Sequence, residues 1–438
     1  MGAGTGAVGI SGATTALSTT PAERELGLAT DATNHPMTVT HRTMPTFPLR
    51  SLLLLGFALP LSAQPTLRTL ARPEAIFPES FTQVSGLREL ADGRVVLSDT
   101  RDRVLQALDF RTGEMTPVGR AGSGPAEWGV PSRLYAMPGD STLMLDFQNG
   151  RFLIILPDGK PGPTFRIPET SPAAFGTLIG VDSRGRIIVE RARVDRESPL
   201  AGSLGVVDLL RYDRAASRTD TLAQRAEARG EHAGARQLPG GMLQTFTNLP
   251  LAPRDLALVA PDGRVVILRA DPYRMESIAL DGARFVGPVA AASAVRITAE
   301  ERRAFIRSQV RPGTIVVSGG AGAGVMPRAG GAAGRGAVAI DAAVSDALSN
   351  PDMVWPDRKP PFIGNTAHAA PDGRVWVLRS RAHDDPVPTY DVFERDGRVL
   401  TRVALPPLTR VAGFGRGVVY LVRTDEDDLQ HIERHRLP

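Results

Sequence analysis

The chain has 438 residues, 42% apolar and 5% aromatic, with 45 Gly, 36 Pro and no Cys. It is too apolar for a disordered protein and lacks the three-residue Gly period of collagen; without Cys it has no disulfide, no thiolate chemistry, no Cys-ligated zinc or iron–sulfur site and no lipid anchor on an N-terminal Cys. The net charge is +4, and 49 of the 51 basic residues are Arg, spread beside Asp and Glu without interleaved aromatics, so no nucleic-acid partner is expected.

Residues 1–43 begin as a Gly-, Ala- and Thr-rich stretch without apolar period, expected to be disordered and to be an upstream extension, the start lying at Met44 or Met37. Residues 44–63 read as a signal peptide: a basic start ending at Arg50, an apolar run of 11 residues over 51–61, and a small-residue cleavage site at Ala63. That run is shorter than the roughly 20 residues a membrane span needs, and Gly56 and Pro60 interrupt it. The mature chain, 64–438, is therefore expected outside the cytoplasm, in the periplasm or beyond the cell, with no transmembrane segment.

From residue 91 onward one unit recurs: a turn with Asp and Gly, an apolar β-rich run, a polar break and a second run. Copies are ADGRVVLSDTRDRVLQALDF at 91–110, PGDSTLMLDFQNGRFLIILPDG at 138–159 and DSRGRIIVER at 182–191. APDGRVVILRADPYRMESIALDG follows at 260–282, APDGRVWVLRSRAHDDPVPTYDVFERDG at 370–397, and a worn sixth copy fills 413–437. Asp-Gly supplies the positive φ of a tight turn, and the continuous Val/Ile/Leu run suits a strand buried on both faces. Each copy holds about four strands in roughly 40–45 residues, the size of a propeller blade. The turn glycines Gly93, Gly139, Gly185, Gly263, Gly373 and Gly417 are spaced 46, 46, 78, 110 and 44 apart. The two long gaps predict insertions at about 225–250 and 292–362.

The fold class expected is thus all-β, a six-bladed β-propeller. The last copy runs out after three strands, so an N-terminal strand within 66–77 is expected to complete the sixth blade and close the ring. The insertion between blades 4 and 5 predicts a helix at 298–310, with Thr298 and Glu301 forming a capping box. A Gly-rich linker follows at 318–336, then a second short helix about 340–348. Its role stands as either an idle loop or a lid over the channel mouth.

The segments ADGRVVLSD, GSGPAEWGVP at 122–131, PDGRVWVL at 371–378 and YDVFERDGRVL at 390–400 resemble six-bladed β-propellers of the NHL/TolB-like type found in exported bacterial proteins. The resemblance spans about residues 66–438 without the insertions, and implies the fold far more than a function. Two departures from its pattern are Ala126, where the segment usually has Gly, and Trp128, where it usually has Phe.

The candidate ligand-binding residues are those read as ending the innermost strands: Asp99, Asp146, Arg191, Arg269, Arg379 and Arg423, with Arg101 and Arg381 close behind and His368 before the fifth copy. Converging guanidiniums suit a carboxylate, phosphate or sulfated ligand. The other reading pairs them with Asp99, Asp146, Glu190 and the acidic loop 425–428 as structural ion pairs. His383 beside Asp384 and Asp385 reads as a base oriented by a carboxylate or as a solvated loop. His431 and His435 lack a third metal ligand nearby, and Trp376 is expected to pack between blades. No catalytic set, no cofactor and no metal site is indicated. The chain reads as a monomeric, exported binding protein for an anionic small molecule, glycan or protein. The alternative is a propeller enzyme, a lactonase-like hydrolase or lyase with a channel metal.

Overall fold

The computed structural model describes residues 65–174, 176–194, 203–226, 232–238, 241–246, 249–292, 295–309, 314–316, 325–327, 344–345, 348–350, 353–364 and 366–438. The expected extension and signal peptide lie outside the described residues, as does the Gly-rich linker apart from a short strand, Val325–Pro327, paired with Thr314–Val316.

Six antiparallel sheets follow one another along the chain. Blade 1 is Val84–Glu89, Val95–Asp99, Val104–Leu108 and Met115–Pro117. Blade 2 is Leu134–Ala136, Thr142–Asp146, Arg151–Ile155 and Pro161–Phe165. Blade 3 is Thr177–Val181, Ile187–Val194, Ser203–Asp213 and Arg218–Ala226. Blade 4 is Leu256–Val259, Val265–Ala270, Tyr273–Ile278 and Arg284–Val286. Blade 5 is Ala367–Ala369, Val375–Leu378, Thr389–Phe393 and Val399–Ala404. Blade 6 takes Thr409–Gly415, Val418–Thr424 and Gln430–Arg436 from the tail, and its outermost strand, Ala75–Phe81, from the head of the chain.

The first strand of each blade touches the first strand of the next, and that of blade 6 touches that of blade 1, so the ring closes. Six apolar clusters fill the six gaps between neighbouring blades. In blade 1, Val95 and Leu97 pack toward blade 6 while Val96 packs toward blade 2. The second strands are therefore apolar on both faces, which is why they read as unbroken runs. The six repeat glycines sit in the turns between first and second strands with φ between 69° and 88°, a region that only Gly enters without steric cost. Trp376 packs between blades 5 and 6, and Trp128 between blades 1 and 2 with its indole N–H donating to the Val118 carbonyl at 2.8 Å.

The closing strand is shifted from the expected 66–77. Ala75–Phe81 pairs antiparallel with Gln430–Arg436, while Thr66–Thr69 pairs parallel with Val399–Ala404 as a fifth strand of blade 5. Pro73 has no N–H for a ladder, and Leu70 is buried between blades 5 and 6, so the run divides there. Pro78 falls at a register shift of an outermost strand, where its missing donor is tolerated. The excess near 225–250 is partly a hairpin of His232–Leu238 and Gly241–Phe246, and partly the long strands of blade 3. The insertion after blade 4 holds the helix Ala299–Gln309, and of the second expected helix, Val344, Ser345 and Leu348 are helical among the described residues. Its two arms meet where Arg296 bridges Arg358, with the Ile297 N–H donating to the Asp357 carbonyl at 2.9 Å. Among the described residues, no helix is long and apolar enough to cross a membrane.

Two stability changes follow. Phe77 is 1% exposed and lies edge-on to Phe110 at 5.3 Å between blades 6 and 1. Phe77→Ala should cost about 3–5 kcal/mol in urea unfolding; a loss below ~1 kcal/mol would show that the seam does not hold the ring. Ala126 has φ 60°, a conformation costing a non-Gly residue about 1–2 kcal/mol. After the backbone-entropy cost of glycine, Ala126→Gly should raise stability by about 0.5–1 kcal/mol.

Candidate functional site

Tight turns between first and second strands form one end of the ring, the turn face. The opposite end, the loop face, carries the links between second and third strands and between blades. The first strand of each blade begins there, and the long insertion rises from it. The candidate residues at the ends of the apolar runs are on this loop face, but on the second strands. The innermost strands are the short, glycine-containing ones upstream, such as VSGLRE and TRVAGFG. They were inconspicuous because neighbouring strands crowd there: a Cβ on Gly86 would lie 2.8 Å from the Leu134 amide, and one on Gly413 2.7 Å from the Leu87 carbonyl.

One strand removed from the axis, the second-strand residues are mostly engaged within their blades. The Asp99 carboxylate accepts the amides of Thr82, Gln83, Arg101 and Asp102 at 2.8–3.0 Å, tying the closing strand to blade 1. Asp146, fully buried, accepts from the Gly129 amide, Asn149 and Arg151. Arg191 donates to the Pro172 carbonyl. Arg269 lies between Asp255 and Glu276, Arg379 on Asp391, and Arg423 on Glu433, at 2.7–2.8 Å. For Arg269, Arg379 and Arg423 the carboxylate partners are others of the same blade than Asp99, Asp146, Glu190 or loop 425–428, while Arg191 bonds a carbonyl. Asp425 instead bonds His431 at 2.6 Å, and His435 lies between the Ala71 carbonyl and Glu433, so the two imidazoles have separate partners. Arg101 and Arg381 remain as cations without a carboxylate among the described residues, Arg381 donating to the Asp385 carbonyl.

The axial mouth is cationic through other residues. Arg133 directly precedes the inner strand of blade 2, Arg410 is second in that of blade 6, and His368 is central in that of blade 5. Blades 2 and 5 are opposite members of the ring. The charges bearing on His368 are the guanidiniums of Arg133 and Arg410, so the three share one neighbourhood near the axis. Burial, reinforced by both guanidiniums, lowers the His368 pKa to about 4. The residue as a whole is half-buried. Burial also draws down the Arg410 pKa, with Arg133 adding to the shift and Tyr390 opposing it. Arg410 donates to the Val84 carbonyl at 2.6 Å and to Gln430 Oε1 at 3.3 Å, both neutral oxygens. Glu190 bears on nearby Tyr135 but is held by both donors of Arg225 at 2.8 and 2.7 Å.

Sequence reasoning named His368 and missed Arg133 and Arg410. All three lie five to seven residues upstream of their blade's turn glycine, and that spacing is the signal that would have found them. Among the described residues no group of three His, Asp or Glu side chains is placed to hold a metal ion.

The insertion docks on this face. Thr298 Oγ1 accepts the Glu301 amide at 3.3 Å as a helix cap, but the Glu301 carboxylate does not complete the expected capping box. It is 3% exposed, pairs with Lys359 and accepts the His383 amide at 2.8 Å. Burial pushes its pKa up, and Lys359 and the His383 amide outweigh that, leaving it below the ordinary value. His383 is thus oriented by Glu301 of the insertion, its ring nitrogen 3.3 Å away, and not by Asp384 or Asp385. Trp355 stacks edge-on to Phe305, holding the helix to the returning arm.

No family model and no curated protein matches the chain. Among solved structures it is similar to virginiamycin B lyase from Staphylococcus aureus, at 10% identity, TM-score 0.38, over 83% of this chain and 98% of that one. It is similar to a Bacteroides fragilis protein whose name marks it as a candidate for export, at 8% identity, TM-score 0.43, over 85% and 100%. It is also similar to regucalcin, a calcium-binding protein from Agrobacterium tumefaciens, at 12% identity, TM-score 0.33, over 85% and 97%.

His368 should titrate near pH 4 by NMR. Its folded pKa is depressed from 6.5 to about 4, so its contribution to stability is present above 6.5 and is lost as pH falls through about 4. His368→Gln should flatten that part of the stability–pH curve; an unchanged curve would contradict the assignment.

Proposed function

We propose that this protein is an exported propeller, its mature part being residues 64–438, that binds an anionic ligand at the axial mouth of its loop face. Arg410 carries the reading. It is a solvent-exposed guanidinium on an inner strand, close to a second one, and among the described residues no carboxylate pairs with it. A carboxylate, sulfate or phosphate would supply the counter-charge and accept the planar fork of donors. His368, neutral above about pH 4, offers one ring N–H to the same ligand.

The second-strand residues take the outer part. Asp99 and Asp146 shape the loops that frame the mouth, while Arg191, Arg269, Arg379 and Arg423 stiffen the blade ends around it. Arg101 and Arg381 add exposed positive charge that draws an anion inward. The signal-like segment 44–63 supports export. Ligands of this charge available there include sugar acids and acidic groups of glycans or proteins.

Calorimetry against a panel of sugar acids tests the reading. Arg410→Met should weaken the best of them about tenfold, or ~1.4 kcal/mol, and leave neutral sugars unaffected. Affinity unchanged by Arg410→Met and by Arg133→Gln would overturn it. Calcium-dependent consumption of a lactone would instead establish the catalytic alternative.

A further inference from the structure

Beside the axial mouth, a recess of about 240 Å³ opens between the returning arm of the insertion and the loop after the second strand of blade 5. Lys359 and Ile363 line it from the arm, and Leu378, Ser380, Arg381 and Ala382 from the blade. The backbone here is tightly held. The Ser380 amide donates to the Pro361 carbonyl at 2.8 Å, and Lys359 Nζ to the Arg381 carbonyl at 2.8 Å. The Ser380 hydroxyl is the exception. Ser380 is 7% exposed, and among the described residues its Oγ has no hydrogen-bond partner. A buried hydroxyl left unpaired costs about 1–3 kcal/mol, and few native polar groups are left so.

The surrounding charge is an excess of cations. Lys359 is balanced by Glu301. Asp391 is shared by Arg379 and Arg402, so one carboxylate serves two guanidiniums. Arg381 adds another guanidinium without a carboxylate among the described residues. Asp384 and Asp385 belong to the loop tip and do not line the recess; Asp385 accepts the Val387 amide. Ile363, Leu378 and Ala382 provide an apolar wall beside these donors.

We infer that this recess is a second binding site, distinct from the axial mouth, for a small organic acid. Its carboxylate takes the Arg381 guanidinium and, once the Ser380 side chain turns toward the recess, the Ser380 hydroxyl, and its short apolar body lies against Ile363, Leu378 and Ala382. The insertion, latched by Glu301, supplies one wall, which gives it a ligand-shaping role.

Saturation-transfer NMR on the full chain, with butyrate as probe and butylamine as control, tests this site separately from the axial one. A saturable butyrate signal should appear in the unaltered protein and persist in Arg410→Met, which removes the axial guanidinium. Arg133→Gln serves as the background if Arg410→Met fails to melt as a folded protein. In that background Arg381→Gln and Ser380→Ala should each weaken butyrate about fivefold or more, and butylamine should give no signal. Butyrate binding that vanishes with Arg410→Met alone belongs to the axis and overturns the second site while leaving the axial reading intact. Absence of any saturable signal, or binding that survives either Arg381→Gln or Ser380→Ala unchanged, overturns it as well.

Discussion

The structure depends on the pairing of Ala75–Phe81 with Gln430–Arg436. Those segments are far apart in sequence, and joining them converts six wedges into a ring without a raw edge. The joint is tied in several ways. Glu74 pairs with Arg434 and Arg436, Phe77 and Phe81 complete the gap between blades 6 and 1, and Tyr420 donates to Glu89 across it. The axial site is built on the same seam. Gln430 Oε1 accepts the Val84 amide and an Arg410 donor, and Arg410 also reaches the Val84 carbonyl. Closure therefore positions the cation at the centre of the proposed binding mouth.

Charge is graded from rim to axis. At the ends of the second strands, guanidiniums reach carboxylates diagonally across to the adjoining strands, Arg269 to Glu276 and Arg423 to Glu433. Those pairs consume the charge that the repeat pattern placed there. On the inner strands Arg88 keeps such a partner in Asp140, while Arg410 bonds only neutral oxygens among the described residues. Short side chains and glycines let the strands converge, and Arg410 comes close to Arg133 and His368 with no carboxylate paired to it among the described residues. An anion from solvent completes this arrangement with little reorganisation, because both guanidiniums are already held.

The insertion shows how tertiary context redirects a local motif. Thr298 and Glu301 stand at the spacing of a capping box, and the cap from Thr298 forms. The carboxylate has a stronger partner in Lys359 and is drawn into the interface with blade 5. Burial then makes the ion pair costly to break by removing either member. The result is a fixed wall over one sector of the loop face.

The blade count, the turn glycines and the doubly buried second strands were legible in the sequence, because each repeats a local requirement: positive φ at a turn, or apolar side chains on a strand between two sheets. The same rule hid the functional strands. Inner strands such as that of His368 need little apolar surface, so they carry no periodic signal, and the apolar runs ending in Asp99 or Arg379 were read as innermost. Which arginines have carboxylate partners, which stretch of the N-terminal region closes the ring, and where Glu301 turns were decided by tertiary structure alone. Each depends on a contact between residues remote in sequence, and local pattern holds no record of what lies across a channel.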